Sequence, residues 1–280
     1  MNRTEFRTLA ERGLLLDGAT GSNLFAAGMP RGVSTEDWVL DHPAVLNELQ
    51  CAYAAAGSQL LCAPTFAASR FYRQDAIAPL NRRLVRAARA ALPEGCMLAG
   101  DVTTAARADY EYDDLLTGYK EQITALRDAG CDAILIETMM GQQEAMAALE
   151  AARTVCDLPV LCSFSVSADG GLYFGGDVFE AAQTLEALGA DAVGVNCSSG
   201  PDQLESVIRH LCSLTSLPVI AKPNAGMPQI DAQGIAVYPM DAPRFAGSMA
   251  KLLAAGAKIV GGCCGTTPAH IAALREVLCG

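Results

Sequence analysis

The sequence predicts an α/β fold, a single (β/α)8 TIM barrel over residues 1–280. Three observations predict it. Short apolar runs recur eight times, most of them ending in Gly, Asp, Asn, Glu or Cys, and each is followed by an amphipathic stretch of helical period. Glycines recur where those stretches stop and the next apolar run begins. No Pro/Ser/Gly-rich linker or shift in composition divides the chain, so eight strand–helix units must share one sheet covered by helices, at about the length such a barrel takes. A doubly wound open sheet would need fewer strands and a G-x-G-x-x-G after the first, which is absent.

The predicted strands are 14–16, 59–63, 97–100, 133–136, 160–164, 192–195, 219–221 and 258–260. Each is too short for a helix and carries the branched or large apolar residues of buried parallel strands. The predicted helices are 43–56, 79–91, 113–129, 142–155, 179–188, 201–214, 242–255 and 268–278. Pro43, Pro201 and Pro268 suit first helical turns. Gly57, Gly130, Gly189 and Gly256 suit the position after the last turn.

Composition excludes several functions. Lys plus Arg total 20 against 31 Asp plus Glu, a net charge of -11, which repels phosphate backbones and anionic membrane surfaces. Aromatics are 6%, too few for base-stacking platforms. No apolar run reaches membrane-spanning length, and the charged N-terminus lacks a secretory h-region, so a cytoplasmic location is expected, with neither nucleic acid nor membrane as partner. The eleven cysteines read mostly as small buried hydrophobes of a reducing compartment.

In such barrels function sits at the C-terminal strand ends, and there this sequence turns polar and Gly-rich. Cys197 ends the sixth strand, and the adjacent Cys263 and Cys264 follow the eighth, between glycines that permit a sharp bend. Three thiolates with an open fourth position suit a catalytic zinc site; a strained vicinal disulfide or buried free thiols are equally open on spacing alone. His42, His210 and His270 offer no evident fourth ligand. Asp17 precedes Gly18-Ala19-Thr20-Gly21 and reads as a turn carboxylate or a ligand-site residue. Glu137 follows four apolar residues, where a carboxylate needs a partner. That partner is either a neighbouring cation such as Lys222 or a substrate ammonium. Asn196 and Asn224 read as substrate contacts that brace the cysteine-bearing loops, or as plain turn residues. Thr65-Phe66 either shapes the pocket or packs the barrel, and the segment 24–43, with the lone Trp38, could fold over the mouth.

Asp17-Gly-Ala-Thr-Gly21, Gly194-Val-Asn-Cys197, Pro223-Asn-Ala-Gly226 and Gly261-Gly-Cys-Cys-Gly-Thr-Thr-Pro-Ala-His-Ile271 together resemble the homocysteine S-methyltransferase family, over nearly the whole chain. The resemblance implies one Zn2+ held by Cys197, Cys263 and Cys264, and transfer of a methyl group to the homocysteine thiol to give methionine. It makes Asp17 and Glu137 the candidate catalytic and substrate-ammonium residues. The backbone of Gly18, Ala19, Thr20 and Gly21 becomes a cradle for the substrate carboxylate. The methyl donor stays open among S-methylmethionine, a betaine-like onium compound and methylcobalamin. The last would require a separate cobalamin-binding protein, as in a split methionine synthase. Gly141, Thr103-Thr104 and Ala63-Pro64 depart from the family pattern near strands four, three and two and bear on the donor or the substrate's shape. A non-catalytic homocysteine- or zinc-binding barrel and a Lys222 Schiff-base lyase are the competing readings.

Overall fold

The computed structural model describes residues 1–280 except 75 and 233, and apart from the side chain of residue 91. The first strand is β1 (Leu14–Leu15), followed by β2 (Leu60–Cys62), β3 (Met97–Thr103), β4 (Ala133–Met139), β5 (Val160–Phe164), β6 (Ala192–Cys197) and β7 (Val219–Pro223). An exposed antiparallel hairpin, β8 (Gln229–Ile230) with β9 (Ala236–Val237), precedes the last barrel strand, β10 (Ile259–Val260). The barrel strands form one parallel sheet in the order β1-β10-β7-β6-β5-β4-β3-β2. A parallel bridge between Leu16 and Leu60 joins its two edges, reinforced by the Gln59 amide donating to the Leu15 carbonyl at 2.8 Å. The expected (β/α)8 barrel is therefore closed.

Strand alternation sorts the apolar residues into two cores. Leu14, Leu16, Leu60, Ala99, Leu135, Leu161, Ile220 and Ile259 pack together inside the barrel. Their sequence neighbours Leu15, Leu61, Leu98, Ile134, Ile136, Val193, Val219 and Val260 face the helices. A helix that the sequence reading did not anticipate, α1 (Arg3–Glu11), closes the barrel floor by inserting Phe6 and Ala10 into the inner core. Its start carries a capping box, in which the Asn2 side chain and Glu5 each bond the other's backbone.

The expected helices form with small shifts. After α2 (Gly21–Ala26) and α3 (Thr35–Asp41) come α4 (Pro43–Ala56), α5 (Ile77–Ala91), α6 (Tyr112–Asp128), α7 (Gln142–Val155) and α8 (Val178–Ala187). The stretch predicted as one helix over 201–214 is split. Pro201–Gln203 makes a 3-10 turn, and α9 begins only at Glu205–Leu214. Then follow α10 (Ala242–Ala254) and α11 (Pro268–Cys279). Among the described residues, no helix is long and apolar enough to cross a membrane.

The long segment after β1 does cover the mouth. Trp38 is buried, stacks on His42 at 4.2 Å between centroids, and packs with Leu24, Met29, Val39 and Leu46. It anchors the segment, and Ser34, Thr35 and Glu36 then line the cavity at the top of the barrel.

Candidate metal centre and substrate cavity

The strands continue beyond their apolar parts: β3, β4, β6 and β7 stay paired through Thr103, Glu137, Cys197 and Pro223. Because the inward parity persists, Asp101, Glu137 and Lys222 stand above the inner core and face a cavity of about 480 Å³. Cys197, Cys263 and Cys264 line the same cavity.

The three sulfurs lie within 4.8 Å of one another, with Cys197 Sγ 3.9 Å from Cys264 Sγ. Zinc–thiolate bonds near 2.3 Å in a tetrahedron place sulfurs roughly 3.8 Å apart, so the cluster is already at the spacing of a metal's coordination edge. All three are free thiols, and among the described residues no other group of His, Cys, Asp or Glu is arranged to hold a metal. Hydrogen bonds from Cys197 and Cys263 pull the Cys264 thiol well below the usual cysteine range. A soft, three-sulfur donor set with an open side fits zinc.

Backbone geometry makes the cluster. Alternation would send Cys197 to the opposite face from Asn196. Instead β6 ends there in two left-handed residues, Cys197 (φ 55°) and Ser198 (φ 61°), a conformation that costs non-glycine residues about 1–3 kcal/mol. Ser198 Oγ holds the bend by accepting from the Val166 amide at 2.8 Å and bonding Ser165 Oγ at 2.8 Å. On the other side, the Cys263 amide donates to the Pro223 carbonyl at 2.7 Å and the Gly262 amide to the Asp17 carbonyl at 3.0 Å. A Cβ on Gly262 would fall 2.4 Å from Thr266 Oγ1. Gly265 adopts φ +79° with Tyr238 against it, so neither position tolerates a side chain.

The other expected site residues divide. Gly18, Ala19, Thr20 and Gly21 line the cavity as expected. The Ala19 amide is already used by Thr266 Oγ1 at 3.1 Å, while those of Gly18 and Thr20 make no hydrogen bond among the described residues. Asp17 is buried behind the cavity lining, where its oxygens accept from the Cys62 amide at 2.8 Å and the Cys62 thiol at 3.3 Å. Burial raises its pKa, against the opposing pull of Lys222. Glu137 lines the cavity, and its partner is Lys222, the neighbouring cation that the sequence offered as an alternative, at 2.9 Å with both side chains buried. Burial pulls the Lys222 ammonium down. Glu137, Cys62, Cys263 and Asp17 around it outweigh that and hold it above the usual lysine range.

Asn196 does not line the cavity. It accepts from the Thr138 amide and Ser163 Oγ, both at 2.8 Å, and donates to Thr138 Oγ1 at 2.7 Å. It thus pins the left-handed Thr138 (φ 61°) beside Glu137 and acts as a brace. Asn224 is also outside the lining. Its backbone amide donates to the Ser199 carbonyl at 3.0 Å, and its buried Oδ1 has no partner. Thr65 packs, bonding the Asp101 backbone through its hydroxyl, whereas Phe66 lines the cavity. The sequence reading missed Asp101, Cys62 and Tyr72 as cavity residues. Asp101 carried the same signal as Glu137, a carboxylate closing an apolar run.

Fold and site together place three thiols able to hold a metal ion at the mouth of a (β/α)8 barrel. A family model described as homocysteine S-methyltransferase matches residues 14–278. The chain belongs to that family. It is 31% identical to a methionine synthase of Mycobacterium leprae over 96% of its own length and 24% of the relative's, and 31% identical to one of Mycobacterium tuberculosis with the same coverage. It therefore spans about a quarter of those relatives. Among solved structures, it is similar to the homocysteine methyltransferase MmuM from Escherichia coli in its oxidized form, with TM-score 0.84, 26% identity and 99% of both chains covered. The metallated form of the same protein gives TM-score 0.83, covering 97% of this chain and 99% of that one.

Proposed function

We propose that this chain transfers a methyl group to the sulfur of homocysteine, forming methionine, with one zinc ion held by Cys197, Cys263 and Cys264. The observation that carries the reading is the three-sulfur cluster, already at coordination spacing and open on one side to a cavity of amino-acid size. Zinc bound there would supply the Lewis acidity that favours thiolate over thiol at neutral pH, where a free thiol with pKa near 8.5 is mostly protonated. The chain's own residues orient the substrate. The free amides of Gly18 and Thr20 face its carboxylate, and the acidic floor of the cavity faces its ammonium. The sulfur attacks the methyl carbon, the S–C bond forms as the donor's bond to methyl breaks, and the electron pair leaves with the donor. The thiol proton is lost before that step, so no protein base is needed during transfer.

The donor we place first is a small onium compound such as S-methylmethionine or a betaine, which reaches the cavity without a carrier protein. The likeness to one quarter of methionine synthases favours a second reading, in which a cobalamin-binding protein delivers the methyl group. Eleven free cysteines suit a reducing compartment, and we place the protein in the cytoplasm.

The test is methionine formation from homocysteine with S-methylmethionine, a betaine or methylcobalamin, alongside elemental analysis. About one zinc per chain is expected, lost in Cys197→Ala, Cys263→Ala and Cys264→Ala, with activity lost in parallel. Full zinc in all three variants would overturn the metal assignment; no methionine from any donor with zinc-loaded protein would overturn the activity.

A further inference from the structure

We infer that the outer face of α5 and α6 is a self-complementary charged surface on which a second copy of this chain docks, forming a two-fold dimer. The inference is independent of the reaction at the barrel mouth.

Helix α5 holds four arginines, Arg82, Arg83, Arg86 and Arg89, and no acidic residue, in a chain of net charge -11. Arg89 is engaged, reaching Asp132 at 2.7 Å and the Gly130 carbonyl at 2.8 Å. Arg82, Arg83 and Arg86 are exposed and make no ion pair among the described residues. The helix dipole favours a cation such as Arg89 in the last turn, but gives no reason for the other three, which stand earlier. Arg82 and Arg86, four apart, and Arg83 and Arg86, three apart, repel one another on the helix surface. Arg82, Arg86 and Arg89 border an open groove with Asp128 and Ala129 at the end of α6. Asp128 is already held there by Arg127 at 2.6 Å. The stripe is therefore a standing cost to the helix that an anionic neighbour would relieve.

The counter-charge lies at the other end of the same face. Asp113 and Asp114 stand in the first turn of α6, just after Glu111, all three exposed and without an ion pair among the described residues. That turn follows β3 on the mouth side of the barrel, whereas the last turn meets the arginines on the floor side. Asp114 and Asp128 are about 21 Å apart along the helix at 1.5 Å per residue. Between the two ends, Glu121 pairs with Arg70 at 2.7 Å. A face that is acidic at one end and basic at the other matches itself after a half-turn. In a two-fold dimer the basic end of each protomer meets the acidic end of its partner, so both contacts attract. The two helices present a face of about 25 by 20 Å, or roughly 1,000 Å² over both protomers, near the lower bound of a specific interface. Association is therefore weak, concentration-dependent and driven by charge.

The test is sedimentation equilibrium of the full chain over a range of concentrations, with circular dichroism as a check of folding. Wild type should pass from monomer to dimer. The dimer should weaken about ten-fold or more between about 0.1 and 1 M salt, as the screening length falls from roughly 10 to 3 Å. Two variants reverse the ends separately: Arg82→Glu with Arg86→Glu, and Asp113→Arg with Asp114→Arg. Each alone should dimerise roughly 100-fold more weakly, because like charges then meet at both contacts. Mixed in equal amounts, the two variants should dimerise as the wild type does, since every contact is again between opposite charges. A wild type that stays monomeric at low salt overturns the inference, whatever else binds the arginines. A dimer that persists or tightens at the higher salt is held by apolar surface and overturns it too. So do folded reversal variants that still dimerise on their own, or that stay monomeric when mixed.

Discussion

Replacing Lys222 with Met tests whether the acidic floor is held by one cation. The methionine stem fills most of the same volume, so the main change is loss of the ammonium, which lies 2.9 Å from Glu137 Oε2 with the two side chains 5% and 6% exposed. Removing one member of a buried pair leaves the other charge uncompensated, at a cost of about 3–5 kcal/mol. Asp101 and Asp17 lie within the electrostatic reach of the same pair, Glu137 and Lys222. For a chain of this size roughly 2–4 °C of melting temperature accompany each kcal/mol, so Lys222→Met should melt on the order of 10 °C below wild type. Glu137→Gln in the same chain should restore most of the loss. The deficit should also shrink in acid. Burial raises the Glu137 pKa, so its carboxyl takes a proton above the ordinary carboxylate range and no bare charge then remains. Calorimetric scans of the metal-free protein at neutral and acidic pH read all three effects. A variant that melts within about 2 °C of wild type at neutral pH would refute the argument.

Two further outcomes follow from the same geometry. The Asp101 pKa is raised in the fold, so its contribution to stability is present below the unfolded carboxylate pKa and is lost as pH rises through the folded value. Asp101→Asn should therefore gain on wild type in urea midpoint as pH climbs from about 4 to 8, and a constant gap would contradict the burial of that carboxyl. Asn196→Ala strands the Thr138 amide and Ser163 Oγ inside the barrel and should cost about 2–4 kcal/mol in chemical denaturation; a loss under about 1 kcal/mol would mean that the brace is dispensable.

The barrel was legible because apolar runs and amphipathic stretches alternate without interruption, and the cysteines stood out because they sit at strand ends. What could not be read was depth. Asp17 reads as a pocket residue in one dimension, and only the fold shows that Cys62, from the neighbouring strand, bonds its oxygens behind the lining. Glu137 and Lys222 were recognisable as a carboxylate and a cation at strand ends, but only the inward parity of β4 and β7 makes them partners. Asn196 was offered as a contact or a brace, and its partners Thr138 and Ser163, which only the fold brings beside it, make it a brace. The floor helix α1 escaped notice because its charged, amphipathic sequence matches that of a surface helix. The capping box at Asn2 and Glu5 was the available signal. The hairpin β8–β9 has two residues per strand, too few for any alternation to register.

The placement of α1 also bears on the order in which the molecule can be completed. Phe6 and Ala10 find their neighbours among strands that extend to Ile259, and Arg3 reaches Asp191 at 2.7 Å. During synthesis this stretch leaves the ribosome ahead of every barrel strand, yet the surfaces that receive it exist only when nearly the whole barrel has emerged. β1 waits in the same way, since Leu14 and Leu15 pair with Ile259 and Val260. The nascent chain must therefore carry an unsheltered greasy segment until β10 has emerged, and closure of the barrel joins its first strand to its last.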